Sequence, residues 1–209
     1  MDLTRLHLPA TDHVYAPRED SYLLGSAARV DPRERVLELG CGAGLAALAA
    51  ARSGARVTAS DLNPFALRAV ASAASAMALK VQCVRTDLFD GLGTFDVVLC
   101  NPPYLPSVPG EEDPDRWHEL ALNGGADGQE WLRRFLRALP DHLELQGRAY
   151  VIFAQVRSPQ VPPEFPRSIL GESWDQEPIA HREVPGERLA VFELHRHRSA
   201  GTLPTPGSG

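Results

Sequence analysis

Lysine is almost absent from this chain. Lys80 is the only one in 209 residues, so arginine carries nearly all the positive charge, and the formal balance is −6 at pH 7. That balance argues against a broad phosphate-binding surface, because nucleic-acid affinity rests largely on basic side chains neutralising phosphates; it leaves room for a local basic patch. Cysteine is scarce too. Cys41, Cys83 and Cys100 are odd in number, lack C-x-x-C spacing and lie in or beside apolar runs. This suggests neither a disulfide framework nor a zinc site, leaving three buried free thiols as the expectation. No apolar run approaches the roughly 18 residues a membrane helix needs, and the start Met1-Asp2-Leu3-Thr4-Arg5 lacks the order of a secretion signal. A cytoplasmic protein without a membrane partner is expected. The 44% hydrophobic content can fill one large core, so one domain is expected over 1–198, with the Gly/Pro/Ser/Thr-rich stretch 199–209 a disordered tail.

Strand and helix patterns alternate. Pro17 to about Val30 reads as a helix with Glu19 and Asp20 in its first turn, where acids suit the positive end of the dipole. Arg35 to Leu39 reads as a strand, Gly40-Cys41-Gly42-Ala43-Gly44 as a glycine turn, and Leu45 to Arg52 as a helix stopped by Gly54. The unit repeats with a strand over Ala55–Ser60, the turn Asp61-Leu62-Asn63-Pro64 and a helix over Phe65–Leu79. Val81–Arg85 and Thr94–Cys100 are further strands, Gln129–Leu139 a helix and Gly147–Gln155 a strand. Ile179–Val184, a Pro185-Gly186 turn and Arg188–Leu194 form a terminal hairpin. This alternation predicts an α/β fold with a parallel sheet and helices on both faces. Residues 103–128, rich in Pro, Gly, Asp and Glu, are expected to be a long loop at the mouth of the site.

The most informative residues are Asn101-Pro102-Pro103-Tyr104, directly after the apolar run Phe95–Cys100. An Asn side-chain carbonyl and a proline-fixed backbone carbonyl at a strand tip make two rigid acceptors for the hydrogens of a flat NH2 group. That arrangement suits alkylation of an amide or an exocyclic amine.

Gly40, Gly42 and Gly44 let the first turn pass close to a ligand, and Asp61, some twenty residues on, ends the next strand where a carboxylate can take ribose hydroxyls. An adenosine ligand follows; the glycines alone do not separate a nicotinamide cofactor from S-adenosylmethionine. Glu38, just before the turn, favours the latter, because it would repel a pyrophosphate and can orient the glycine loop or meet a cationic end. Asp87, ending the third strand in Thr86-Asp87-Leu88-Phe89, is placed to accept from an adenine amino group, and Leu88 to donate its backbone N–H. For Glu38 a structural salt bridge, and for Asp87 a helix cap, remain open. Trp117 and His118 are candidate substrate contacts, Glu111 to Asp115 reads as a solvated acidic stretch, and His195 to Arg198 as a solvated edge rather than a metal site.

Val14-Tyr15-Ala16-Pro17-Arg18-Glu19-Asp20-Ser21, the blocks just named, and Asn123-Gly124-Gly125-Ala126-Asp127-Gly128 together resemble the HemK/PrmC family of protein-glutamine methyltransferases. The likeness spans about residues 12–155 and is nearest to the short, single-domain branch of archaea and eukaryotes. It implies a Rossmann-like class I S-adenosylmethionine-dependent methyltransferase fold: a mainly parallel seven-stranded sheet with a C-terminal antiparallel hairpin. Carried onto this sequence, it implies that Ser21, Glu38 and Gly40 line the methionine end of S-adenosyl-L-methionine. Asp61 and Leu62 would hold the ribose, and Asp87 and Leu88 the adenine. Asn101 with Pro102 would hold the substrate amide, and Tyr104 would wall its slot. The implied substrate is the glutamine of the Gly-Gly-Gln motif in a peptide-chain release factor. No counterpart of the helical N-terminal domain of the two-domain bacterial members is expected. The branch further implies a small zinc-binding activator, for which the apolar edge strand Val81–Val84 is a docking candidate. The rival expectations are an adenine or guanine amino methyltransferase acting on RNA or DNA, and a non-catalytic cofactor-binding scaffold.

Overall fold

The computed structural model describes residues 3, 6, 8, 11–156 and 167–197. The expected tail at 199–209 lies outside them. The chain runs α1 (Glu19–Ala27), β1 (Arg35–Leu39), α2 (Leu45–Arg52), β2 (Arg56–Asp61), α3 (Pro64–Ala76), β3 (Val81–Arg85) and β4 (Phe95–Cys100). It continues through α4 (Arg116–Leu122), α5 (Glu130–His142), β5 (Leu143–Val156), α6 (Arg167–Leu170), β6 (Trp174–Val184) and β7 (Glu187–Arg196). The seven strands form one sheet in the order β3-β2-β1-β4-β5-β7-β6. The first five are mutually parallel, and β7 runs antiparallel to both β5 and β6.

Both faces of the central strands are buried, as helix-flanked parallel strands require. In β1, Val36 points to a cluster built with α1 and α2 through Leu24, Ala46, Ala47 and Ala50, and its neighbours Leu37 and Leu39 point to the opposite cluster with Phe135, Leu136 and Leu139 of α5. In β4, Val97 and Leu99 share the first face and Val98 and Cys100 the second. Small alanines on α2 bring that helix close to the sheet, which fixes where the glycine turn before it emerges. The chain order reverses between β1 and β4, so their C-terminal ends border the crevice where open α/β sheets take ligands.

Four expectations need correction. The 103–128 segment is not all loop: α4 forms within it, started by Asp115, whose side chain accepts from the Trp117 N–H at 2.9 Å. The acidic stretch before it is solvated at Glu111 and Glu112, but Asp113 is half-buried and accepts from the Asp115 N–H. Helix α5 passes Pro140 to end at His142, because a proline in the last turn removes a single internal bond and does not stop the turn already formed. Cys41 and Cys100 are buried, but Cys83 is half-exposed, because β3 is an edge strand with a neighbour on one side only.

Candidate active site

Four turns at the C-terminal ends of β1, β2, β3 and β4 meet α1 and α4 around one pocket. The glycine turn follows β1: Gly40, Gly42 and Gly44 all have positive φ, at 66°, 49° and 75°. A Cβ on Gly44 would stand 2.4 Å from Cγ2 of Val70 on α3, whereas one on Gly40 would meet nothing within 4 Å. Gly44 is therefore fixed by helix packing, and Gly40 leaves open space beside the pocket.

Asp61 ties the second turn to the first. One oxygen accepts from the Gly42 N–H at 2.9 Å and the other from the Asn63 N–H at 2.8 Å, while burial raises its pKa. Each oxygen keeps a further lone pair for a ligand hydroxyl. Asn63 caps α3 through the Phe65 N–H and anchors the N-terminal segment through the His13 carbonyl, 2.6 Å from its Nδ2.

Glu38 is buried, and an oxygen of its carboxyl group accepts from the Ala47 N–H at 2.7 Å. It serves as the N-terminal acceptor of α2, whose capping position is Gly44, a residue with no side chain to offer. Among the described residues no basic side chain meets it, so the salt-bridge reading falls away. Burial pushes its pKa up to about 8.

On β4's end, Asn101 is the decisive residue. Its Nδ2 donates to Oδ2 of Asp20 at 2.9 Å, and its Oδ1 is buried without a hydrogen-bond partner among the described residues. A buried acceptor left unpaired costs roughly 1–3 kcal/mol, so its persistence beside the pocket marks a place for an incoming N–H. Asp20 is itself buried and accepts from the Ser21 N–H and Oγ and from Tyr15 OH. Tyr15's hydroxyl is pushed up to about 12 by burial and by the Asp20 charge. The helix dipole alone gives Asp20 no role in the site; the signal for one is its place inside the Tyr-x-Pro-x-Glu-Asp-Ser block.

Ser21, Glu38, Gly40, Gly42, Gly44, Asp61, Leu62, Asp87, Leu88, Asn101, Pro102 and Tyr104 all border this one pocket. Pro102 is buried, and Tyr104 stands at the outer wall, its hydroxyl 3.4 Å from Oε1 of Glu187. Burial and Glu187 raise the Tyr104 pKa. Asp87 is present, but Arg134 of α5 holds its Oδ2 at 2.6 Å, leaving its other oxygen for a ligand; no sequence pattern singles out Arg134. Leu88 has φ 49°, a left-handed conformation that is uncommon for leucine. Of the loop candidates, Trp117 lines the same pocket and His118 an adjoining groove.

The Gly-Gly-x-Asp-Gly segment buttresses the Asn101–Tyr104 turn from behind. A Cβ on Gly124 would lie 2.8 Å from the Pro103 carbonyl oxygen, and one on Gly128 would lie 2.5 Å from that of Tyr104. The Leu105 N–H donates to the Leu122 carbonyl at 2.9 Å and the Gly124 N–H to the Leu105 carbonyl at 2.8 Å.

Residues 19–120 match the family described as Methyltransferase small domain. The chain is 32% identical over 198 residues to MJ0928 of Methanocaldococcus jannaschii, named as a putative protein N5-glutamine methyltransferase, covering 94% of this chain and 98% of that protein. The chain belongs to the HemK/PrmC-type protein-glutamine methyltransferase family. Other members include Methyltransferase HEMK2 of Mus musculus, 34% identical over 160 residues and covering 70% of this chain and 74% of the mouse protein. Among solved structures, the E. cuniculi Mtq2–Trm112 complex superposes with a TM-score of 0.67 at 25% identity, covering 88% of this chain and 99% of that one. That complex is described as responsible for methylating the eRF1 translation termination factor. The expected class I methyltransferase fold is thus borne out. No helix among the described residues is long and apolar enough to cross a membrane.

Proposed function

We propose that this protein transfers the methyl group of S-adenosyl-L-methionine to the side-chain amide of the glutamine in the Gly-Gly-Gln motif of a peptide-chain release factor. The observation that carries the reading is Asn101 Oδ1, a buried acceptor with no partner among the described residues, fixed by Asp20 at the end of β4 beside the glycine turn. The names of the relatives, and the activity ascribed to the E. cuniculi complex, support the choice of a release factor.

The pocket fits the cofactor. Gly40 leaves room for a ligand beside the turn, Asp61 and Leu62 suit a ribose, Asp87 and Leu88 an adenine, and Ser21 and Glu38 the methionine end. When bound, the cofactor supplies an electrophilic methyl group on a sulfonium. The protein's own task is to present the nucleophile. An amide nitrogen has its lone pair delocalised into its carbonyl, and its hydrogens become acidic only as the new bond forms. No strong resident base is therefore required. Asn101 Oδ1 and the Pro102 carbonyl each accept one N–H, which orients the lone pair and favours the positive charge growing on nitrogen. Tyr104 walls the slot, and the proton leaves to water afterwards.

A role on translation factors supports a cytoplasmic location. A small zinc-binding activator is proposed for the edge of β3, where Val81, Cys83 and Val84 stay partly exposed; that the E. cuniculi neighbour is a complex with Trm112 supports a partner subunit. The deciding experiment offers radiolabelled S-adenosylmethionine with a release factor, its Gly-Gly-Ala variant, ribosomal RNA and DNA. Label should appear on the intact release factor alone. Label on the Gly-Gly-Ala variant or on nucleic acid would overturn the assignment.

A further inference from the structure

Helix α5 brings one residue to the cofactor pocket, Trp131 in its first turn. Arg134, three residues on and so on the same face of the helix, holds Asp87 Oδ2 at 2.6 Å. The two therefore stand against the turn after β3, where Asp87 and Leu88 suit an adenine. Trp131 is fixed from two directions. Its backbone N–H donates to the Gly124 carbonyl at 3.3 Å. Its ring stacks on Phe135, with 5.9 Å between centres and 10° between planes, and Phe135 stacks on Phe89 at 5.7 Å and 21°. Phe89 directly follows Leu88, so the array ties the tryptophan to the same turn that carries Asp87. Phe89 and Phe135 are buried, whereas Trp131 is only half-buried and alone of the three borders the pocket. The array ends there at open space.

Two features of this corner point to a purine. A rigid aromatic ring at the edge of a cavity is a surface on which a base stacks, whatever its substituents. A carboxylate with one oxygen held by a guanidinium presents the other in a fixed direction, where it can accept from an amino group in the plane of the base. We propose that α5 forms a wall of the adenine site, with Trp131 stacking on the base and Arg134 acting as a positioning residue that aims the free Asp87 oxygen at the 6-amino group. The inference rests on the S-adenosylmethionine reading above and adds to it the residues that grip the base. Both lie beyond Gly128, where the last block of the family likeness ends, and outside the matched residues 19–120. The shared blocks therefore do not supply this wall.

The test uses the full chain and two ligands, S-adenosyl-L-homocysteine and its analogue with hydrogen in place of the 6-amino group. Calorimetry gives affinity, tryptophan emission reports stacking, and thermal melts check folding. S-Adenosyl-L-homocysteine should quench the wild-type emission, and most of that quenching should be lost in Trp131→Phe but kept in Trp117→Phe. Trp131→Leu keeps apolar packing on Phe135 without a ring and should weaken both ligands about tenfold, whereas Trp131→Phe should stay within about threefold of wild type. Arg134→Gln should weaken the amino ligand alone, by about threefold for a pair at the surface, and Arg134→Lys should restore most of the loss. Quenching that follows Trp117 instead, a Trp131→Leu affinity within about twofold of wild type, or an Arg134→Gln loss shared equally by the two ligands would each overturn the proposal, because a merely structural role of Arg134 is blind to the base. Failure of the wild type to bind either ligand would overturn the S-adenosylmethionine reading, and the inference with it; binding that leaves Trp131 silent would overturn the inference alone.

Discussion

Asp20→Asn should do more harm than its small size suggests. Asp20 Oδ1 faces the Ser21 N–H and hydroxyl at 2.6 and 3.1 Å, and Oδ2 faces Tyr15 OH and Asn101 Nδ2 at 3.3 and 2.9 Å. The substituted amide must keep its oxygen toward Ser21, which offers two donors. Its NH2 group then confronts the Asn101 NH2 group, donor against donor. A hydrogen bond to the carboxylate, of roughly 1.5–3 kcal/mol, is lost. Asn101 recovers about 1 kcal/mol by turning its amide over, so that its Oδ1 accepts from the new NH2. That turn puts a donor where the substrate's N–H must be received. With the productive orientation disfavoured by roughly 1–2 kcal/mol, kcat should fall about five- to thirtyfold, since 1.36 kcal/mol is a factor of ten in rate.

The control is Asp20→Ala. It removes the acceptor without imposing the wrong face, so Asn101 samples both orientations and kcat falls less, although the buried donors of Tyr15 and Ser21 lose their partner and thermal stability falls more. Steady-state transfer of labelled methyl to a glutamine peptide gives kcat, calorimetry gives cofactor affinity, and thermal melts check folding. The expected pattern is an Asn variant slower than the Ala variant yet more stable than it, with cofactor affinity within about threefold of wild type in both. An Asn variant within threefold of wild-type kcat, or one faster than the Ala variant, would refute the orienting role of Asp20.

Glu38 keeps its proton in the folded protein up to about pH 8, against an ordinary value of 4.5. Between those values the native state binds more protons than the unfolded one, so wild-type stability should fall as pH rises, by up to about 1.4 kcal/mol per unit. Glu38→Gln should remove that slope; urea melts of the two proteins from about pH 5.5 to about pH 7.5 should therefore diverge, and parallel curves would show that Glu38 does not titrate so. Gly44→Ala forces a Cβ to 2.4 Å from Val70 Cγ2 at φ 75°, adding left-handed strain to overpacking, together about 2–5 kcal/mol and a Tm loss of about 5–15 °C. Adding Val70→Ala should recover the packing part only, and an unchanged Tm in the single variant would sink the account. Gly124→Ala sets a Cβ 2.4 Å from the Gly128 carbonyl and 2.8 Å from that of Pro103, backbone on both sides. The Asn101–Tyr104 turn, proposed to hold the substrate amide, must shift, so kcat should fall at least about tenfold with cofactor affinity nearly intact; a kcat within threefold of wild type would argue that the segment is a mere connection.

Much of the fold is readable from local pattern, and the reasons are particular. Strands β1 and β3 have the limits that Arg35–Leu39 and Val81–Arg85 suggest, because apolar runs bounded by turn residues leave little choice of register. The cofactor-side residues are legible for a related reason: Gly40, Asp61, Asp87 and Asn101 end successive parallel strands, and the strand order brings those ends to one crevice without further information. Helix α4 is hidden because Pro114 and the acids before it read as loop, while its start depends on one side chain, Asp115, folding back on the Trp117 N–H.

What stays illegible is what depends on pairs far apart in the chain. Asp20 and Asn101 are 81 residues apart, and Arg134 and Asp87 are 47 apart; no periodicity or turn signal couples them. The consequence for the site is specific. The acceptor proposed for the substrate is visible in four consecutive residues, but an asparagine amide has two chemically opposite faces, and four residues do not determine which one is presented. That choice is made by a carboxylate on α1, and the turn's position is set by glycines on the far side that allow backbone to touch backbone. The opening block and the Gly-Gly-x-Asp-Gly segment therefore do for the Asn101–Tyr104 turn what the turn cannot do for itself: one fixes its polarity and the other its place.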